Sequence, residues 1–126
     1  MSKLTPQPDG VAVPKAPYSP VVVDGGLVYT AGQVGFDANG ELVPGGIAAQ
    51  TRRALENLTS CLRAAGCERT DVLKVNAYLA DLADFDGFNA VYREFFEQPF
   101  PARTTVGVSL PGKLLMEIEA TARLPA

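Results

Sequence analysis

The stretch FPARTTVGVSLPGKLLMEIEATA, Phe100 to Ala122, decides how the chain folds. Thr104, Val106 and Val108 alternate with Thr105 and Gly107, the period of a strand whose successive side chains point to opposite faces. Leu110-Pro111-Gly112 then turns the chain. Leu114, Met116, Ile118 and Ala120 follow as the apolar face of a second strand, with Glu117 and Glu119 on its other face. Arg103 stands at the mouth of the first strand, facing the second strand and its glutamates. Such an arginine is either a solvated ion pair worth under about 1 kcal/mol or a planar fork that can donate two parallel hydrogen bonds to a carboxylate.

Working backwards, Asp71 to Asp81 (DVLKVNAYLAD) reads as a strand with Leu73, Val75, Ala77 and Leu79 on one face and Lys74, Asn76 and Tyr78 on the other. Asp84 is placed to cap a helix whose inner stripe is Phe85, Phe88, Tyr92 and Phe95. Pro99 disfavours helical geometry at Gln98 and so closes it. An earlier stripe, Ile47, Thr51, Ala54, Leu55, Leu58, Leu62 and Ala65, predicts a helix of about five turns that stops at Gly66, a residue suited to the left-handed cap. Before it, VVVDGGLVYTAGQV predicts a hairpin from Val21 to Ala31 around Asp24-Gly25-Gly26. The residues up to Pro17 read as an irregular arm. The order is β-β-α-β-α-β-β, an α+β class with one mixed sheet and two helices on one side, in a single domain over residues 1–126. The uncovered face would carry Tyr78, Leu115, Val72 and polar groups, a mixed surface that predicts burial against other subunits.

Composition narrows the chemistry. The chain of 126 residues holds 11 basic and 14 acidic side chains, net −3, without the basic stripe of a dedicated nucleic-acid binder. Cys61 and Cys67 have neither metal-ligand nor disulfide-framework spacing and read as reduced thiols. No signal-peptide pattern and no membrane-length apolar run appears, which predicts a soluble, cytoplasmic protein with no membrane partner. There is no histidine, which excludes Ser-His-Asp triads, Cys-His pairs and histidine-ligated metals. Any chemistry falls to Arg, Glu, Tyr, Thr, Asn, backbone amides and water.

Five blocks together resemble the RidA family, also called YjgF: PYSP at Pro17–Pro20, YTAGQVG at Tyr29–Gly35, AAQTRRALENL at Ala48–Leu58, DFDGFNAVYREFF at Asp84–Phe96 and PARTTVGVSLPGKLLMEIEA at Pro101–Ala120. The resemblance implies a chorismate-mutase-like fold and a homotrimer with a central barrel and ligand clefts between neighbouring subunits. It also implies cofactor-free hydrolysis of reactive 2-imino acids and enamines (2-iminopropanoate, 2-iminobutanoate, 2-aminoacrylate) to 2-oxo acids and ammonia.

By the same resemblance Arg103 is the arginine of the deaminase subgroup, and Glu117 the active-site glutamate that handles water or protons. Glu117 and Glu119 share a face, so either also reads as surface charge, and Glu117 is favoured since two nearby carboxylates tend to raise one pKa. Tyr18 matches a cleft tyrosine from the neighbouring subunit, or packs the arm onto the body. Asn89 matches a family position on the second helix, or makes capping or interface hydrogen bonds. Gly32, lacking a Cβ, lets backbone amides approach a small anion, or serves only a strand bend. Two positions depart from many relatives: Ala31 stands where they have Ser, and Thr105 where they have Cys, so thiol-dependent behaviour does not carry over. Thr105 is expected to orient ligand through its backbone amide. Competing readings are a non-catalytic binder of small 2-oxo acids and an endoribonuclease or translation inhibitor, the latter disfavoured by the acidic balance and missing histidines.

Overall fold

The structure, a computed structural model, describes residues 2–126. Gly25 and Gly26, at φ 58° and 81°, supply the two left-handed residues of a tight hairpin between β1 (Val21–Asp24) and β2 (Leu27–Thr30), in the register Asp24 to Leu27. Helix α1 (Gly46–Ala64) ends as expected at Gly66. There the Gly66 amide donates to the Arg63 carbonyl and the Cys67 amide to the Leu62 carbonyl, which satisfies two otherwise orphaned acceptors. Strands β3 (Val72–Leu79) and β4 (Ala102–Gly107) flank helix α2 (Phe85–Phe95), and β5 (Met116–Arg123) completes the sheet.

The sheet order is β1-β2-β5-β3-β4, antiparallel except for β3 and β4, which run parallel through the α2 crossover. Arg103 therefore does not face the glutamate strand, because β3 lies between them. A parallel pair needs the crossover helix, which carries β4 to the edge. The gap inside is filled by β5, the strand with the most regular buried row: Met116, Ile118, Ala120 and Ala122.

That row, with Val75, Ala77 and Leu79, packs against Leu55, Leu58 and Leu62 of α1 and Phe88 of α2. Each such side chain contributes roughly 1.5–3 kcal/mol relative to exposure.

Three local expectations are corrected. A β-bulge between Val72 and Lys74 resets the alternation of β3, so Val72 is buried and Leu73 turns outward. Asp84 occupies the cap position of α2, but its side chain accepts no hydrogen bond. The entry is a 3₁₀ turn, Leu82–Asp84, held by Asp81 accepting from the Ala83 amide. Finally, α2 stops at Phe95, ahead of Pro99's influence, because Phe96 leaves the helical path and buries its ring against Tyr92, centroids 4.8 Å apart. The arm is irregular apart from one bridge, Leu4 to Val23, which pairs with the outer edge of β1. Among the described residues no helix is long and apolar enough to cross a membrane.

Candidate functional site

The expected site residues gather in two clefts instead of one. Glu117, Gly32 and Tyr18 line the first, of about 370 Å³, together with Val34, Asn57 and Leu114. Gln33 positions it: its amide donates to the Ile118 carbonyl at 2.7 Å and its carbonyl accepts the Ile118 amide at 2.9 Å, which lays residue 32 against the Glu117 side chain. A Cβ at Gly32 would run into the Glu117 carboxylate, standing 2.6 Å from its Cδ. Close approach, and not an unusual backbone, is thus what glycine serves here: any larger residue would displace the Glu117 carboxylate from its place.

Burial, reinforced by the charge of Glu119, holds the Glu117 carboxyl above the usual carboxylate range. Glu119 is engaged otherwise, accepting from the Tyr78 hydroxyl at 3.0 Å and from Asn76 Nδ2 at 3.5 Å. The two glutamates share a face, as alternation predicted, but only Glu117 opens into the cleft. Tyr18 is 56% exposed and extends over its rim.

Two buried polar side chains of α1 hold the walls of this cleft. Asn57 Nδ2 donates to the carbonyls of Val34 (3.1 Å) and Phe36 (2.9 Å). Gln50 donates to the Lys113 carbonyl at 3.2 Å and accepts the Leu115 amide at 2.9 Å. Sequence reading missed both, since each looks like an interruption of an apolar stripe. A buried amide beside carbonyl-rich loops was the available signal.

Arg103 and Asn89 line the second cleft, of about 280 Å³, with Tyr92, Phe100 and Pro101. The register places Arg103 opposite Val75 and Thr105 opposite Ala77, so both point to the helix side of β4. The Arg103 guanidinium rests over three rings of α2: Tyr92 (4.6 Å to the centroid), Phe88 (5.6 Å) and Phe85 (5.8 Å). Among the described residues no carboxylate lies within ion-pair distance of it. The Thr105 hydroxyl is buried without a hydrogen-bond partner. The stripe Phe85, Phe88, Tyr92, read from sequence as core, is also the bed of this cation.

Glu117 pairs with Tyr78 on the outer face, whereas Arg103 projects on the other side of the same sheet. Within one chain the cation and the carboxylate do not meet.

A mixed sheet covered by two helices on one side, with a guanidinium free of carboxylate partners at one edge and a half-buried carboxyl on the open face, defines an α+β protein with two separate polar clefts. The chain belongs to the endoribonuclease L-PSP family, which is the YjgF/RidA family, whose model matches residues 10–124. It is 45% identical over 108 residues, 84% of this chain and 79% of the other, to a 2-iminobutanoate/2-iminopropanoate deaminase of Bos taurus. The crystal structure of RidA from an Antarctic Psychrobacter superposes with a TM-score of 0.91 at 37% identity, over 96% of this chain and 99% of that one. Escherichia coli TdcF, crystallised with bound serine, superposes at 0.90 with 33% identity, over 98% and 100%.

Proposed function

We propose that the chain is a hydrolase that converts small 2-imino acids and their enamine tautomers to 2-oxo acids and ammonia, acting as a single-domain cytoplasmic homotrimer with its sites between subunits. One observation carries the reading: Arg103 is a caged cation without a carboxylate partner, and the carboxyl suited to act with it, Glu117, lies on the other face of the sheet. A second copy resolves both. The deaminase activity named for the Bos taurus relative and the amino acid bound to TdcF fit a carboxylate grip of this kind.

In this scheme Arg103 of one subunit holds the substrate carboxylate through two parallel N–H donors, and the backbone amides of Gly32 and Thr105 orient it. Asn89 lies beside the cation, and Tyr18 closes the rim. Water held by Glu117 adds to the imine carbon while Glu117 takes its proton. The C=N bond becomes a C–N single bond and Glu117 passes that proton to nitrogen, giving the neutral carbinolamine. Glu117 then takes the carbinolamine's hydroxyl proton and delivers it to nitrogen as the C–N bond breaks, the C=O bond forms and ammonia leaves. Its raised pKa brings the carboxyl closer to the working pH, where both transfers are accessible. No cofactor takes part. Imines hydrolyse unaided in water, so orientation and acid-base help of about 10²–10⁴-fold suffice.

Protein added to an imine-generating amino-acid dehydratase is expected to speed 2-oxo acid release, and Arg103→Ala to abolish the gain. No acceleration, or an equal one from the variant, overturns the reading. The family's description favours a second reading, RNA cleavage. Cleavage of RNA by protein freed of contaminating nucleases, without imine hydrolysis, would establish that one instead.

A further inference from the structure

The hydroxyl of Tyr92 is sealed from solvent and has no hydrogen-bond partner. An unpaired buried hydroxyl costs roughly 1–3 kcal/mol, so its presence asks for a partner that the ligand-free chain does not supply. The ring has little freedom, wedged between Phe88 (centroids 5.7 Å) and Phe96 (4.8 Å). Burial raises the phenol's pKa against the opposing charge of Arg103 and the approach of its N–H donors to the hydroxyl, so the group stays neutral at ordinary pH.

The neighbour is the Arg103 guanidinium, which Tyr92 carries more closely than Phe85 or Phe88 does. Aromatic faces attract a cation but do not direct its N–H donors. A guanidinium has five such donors, and a carboxylate takes two. Something else must set the rotation of the fork.

Building on the assignment of Arg103 as the carboxylate anchor, we propose that Tyr92 is the positioning residue of that anchor. Its ring bears the guanidinium, and its hydroxyl accepts one spare N–H when the fork turns onto a bound carboxylate. In the free protein the guanidinium already approaches the hydroxyl but stops short of a well-formed hydrogen bond, and the liganded protein completes it.

Tyr92→Phe keeps the ring and removes only the hydroxyl. The free variant is expected to melt at the wild-type temperature or above it, because no hydrogen bond is lost. Its Kd for 2-oxobutanoate, measured by calorimetry, should rise about tenfold, the effect of one hydrogen bond to a charged group. KM should rise with it while kcat changes little. Tyr92→Leu, which removes the bed as well, should lose both stability and binding.

Wild-type affinity in Tyr92→Phe overturns the inference. If Arg103→Ala no longer binds, the carboxylate anchor stands and only the role of Tyr92 falls. If Arg103→Ala binds undiminished, both fall. A lower melting temperature with unchanged affinity would make the hydroxyl a structural group and equally sink the idea.

Discussion

Glu117 occupies a place where its own charge is a burden. Burial disfavours the carboxylate, Glu119 adds like charge, and Gly32 brings no side chain to donate to it. A carboxyl whose folded pKa is raised stabilises the fold fully only below the ordinary carboxylate range, and that stability is lost as pH rises through the raised value. At neutral pH the ionised group is therefore a net cost to folding. Glu117→Gln should melt higher than the wild type at neutral pH, with the difference shrinking in acid, while imine hydrolysis falls by about 10²–10⁴-fold. Melting curves across pH, set beside the hydrolysis rate, check both halves. A variant that melts lower at neutral pH would show the carboxylate to be favourably solvated. The neighbouring glutamate makes the contrast: Glu119 has Tyr78 and Asn76 as donors and is held as part of the open face.

Helix α1 is the element that turns a core into a site. Its apolar side chains fill the space under the sheet, and its two buried amides reach past them to loops that have no ladder of their own. Removing the Asn57 amide would cost two hydrogen bonds, leaving the Val34 carbonyl only the Phe36 amide and the Phe36 carbonyl only Arg53 Nε as donors. Asn57→Ala should destabilise the protein by about 1–3 kcal/mol, several degrees in Tm, and should lower hydrolysis by loosening the wall opposite Glu117. An unchanged Tm would mean that water replaces the amide.

The same element shows where sequence reading succeeds. The stripe of α1, its stop at Gly66, the Gly25-Gly26 hairpin and the alternation of β5 are local consequences of side-chain period and backbone freedom, and all were legible. The bulge in β3 was not, because Val72 and Leu73 are both apolar and either can continue the row. Nor was the strand order, since it depends on which strands pair across long separations. That order puts β3 between Arg103 and Glu117, and the pairing register sets the two on opposite faces. Tyr92 was legible as a buried ring and illegible as a cation's bed, because a helical stripe says which residues face inward but not what they face.

The whole molecule exposes one unfinished surface. On the face away from the helices, Tyr29 is 45% and Val106 41% exposed, among the Lys74–Thr104 and Tyr78–Glu119 hydrogen bonds, and β4 has an unpaired edge. Apolar groups interleaved with satisfied polar ones suit burial against another copy better than permanent exposure. If each site takes Arg103 from one subunit and Glu117 from its neighbour, two inactive variants can repair each other. In a co-expressed mixture of Arg103→Ala and Glu117→Gln chains, a given site receives an intact arginine in half of the cases and an intact glutamate in half. Random closed assembly should then restore about a quarter of wild-type hydrolysis. Separately purified variants combined without subunit exchange should restore none, and exchange promoted by mild denaturant and dilution should bring the activity back. Each site completed within one chain would leave the mixture as inactive as its parts, because no chain in it carries both groups.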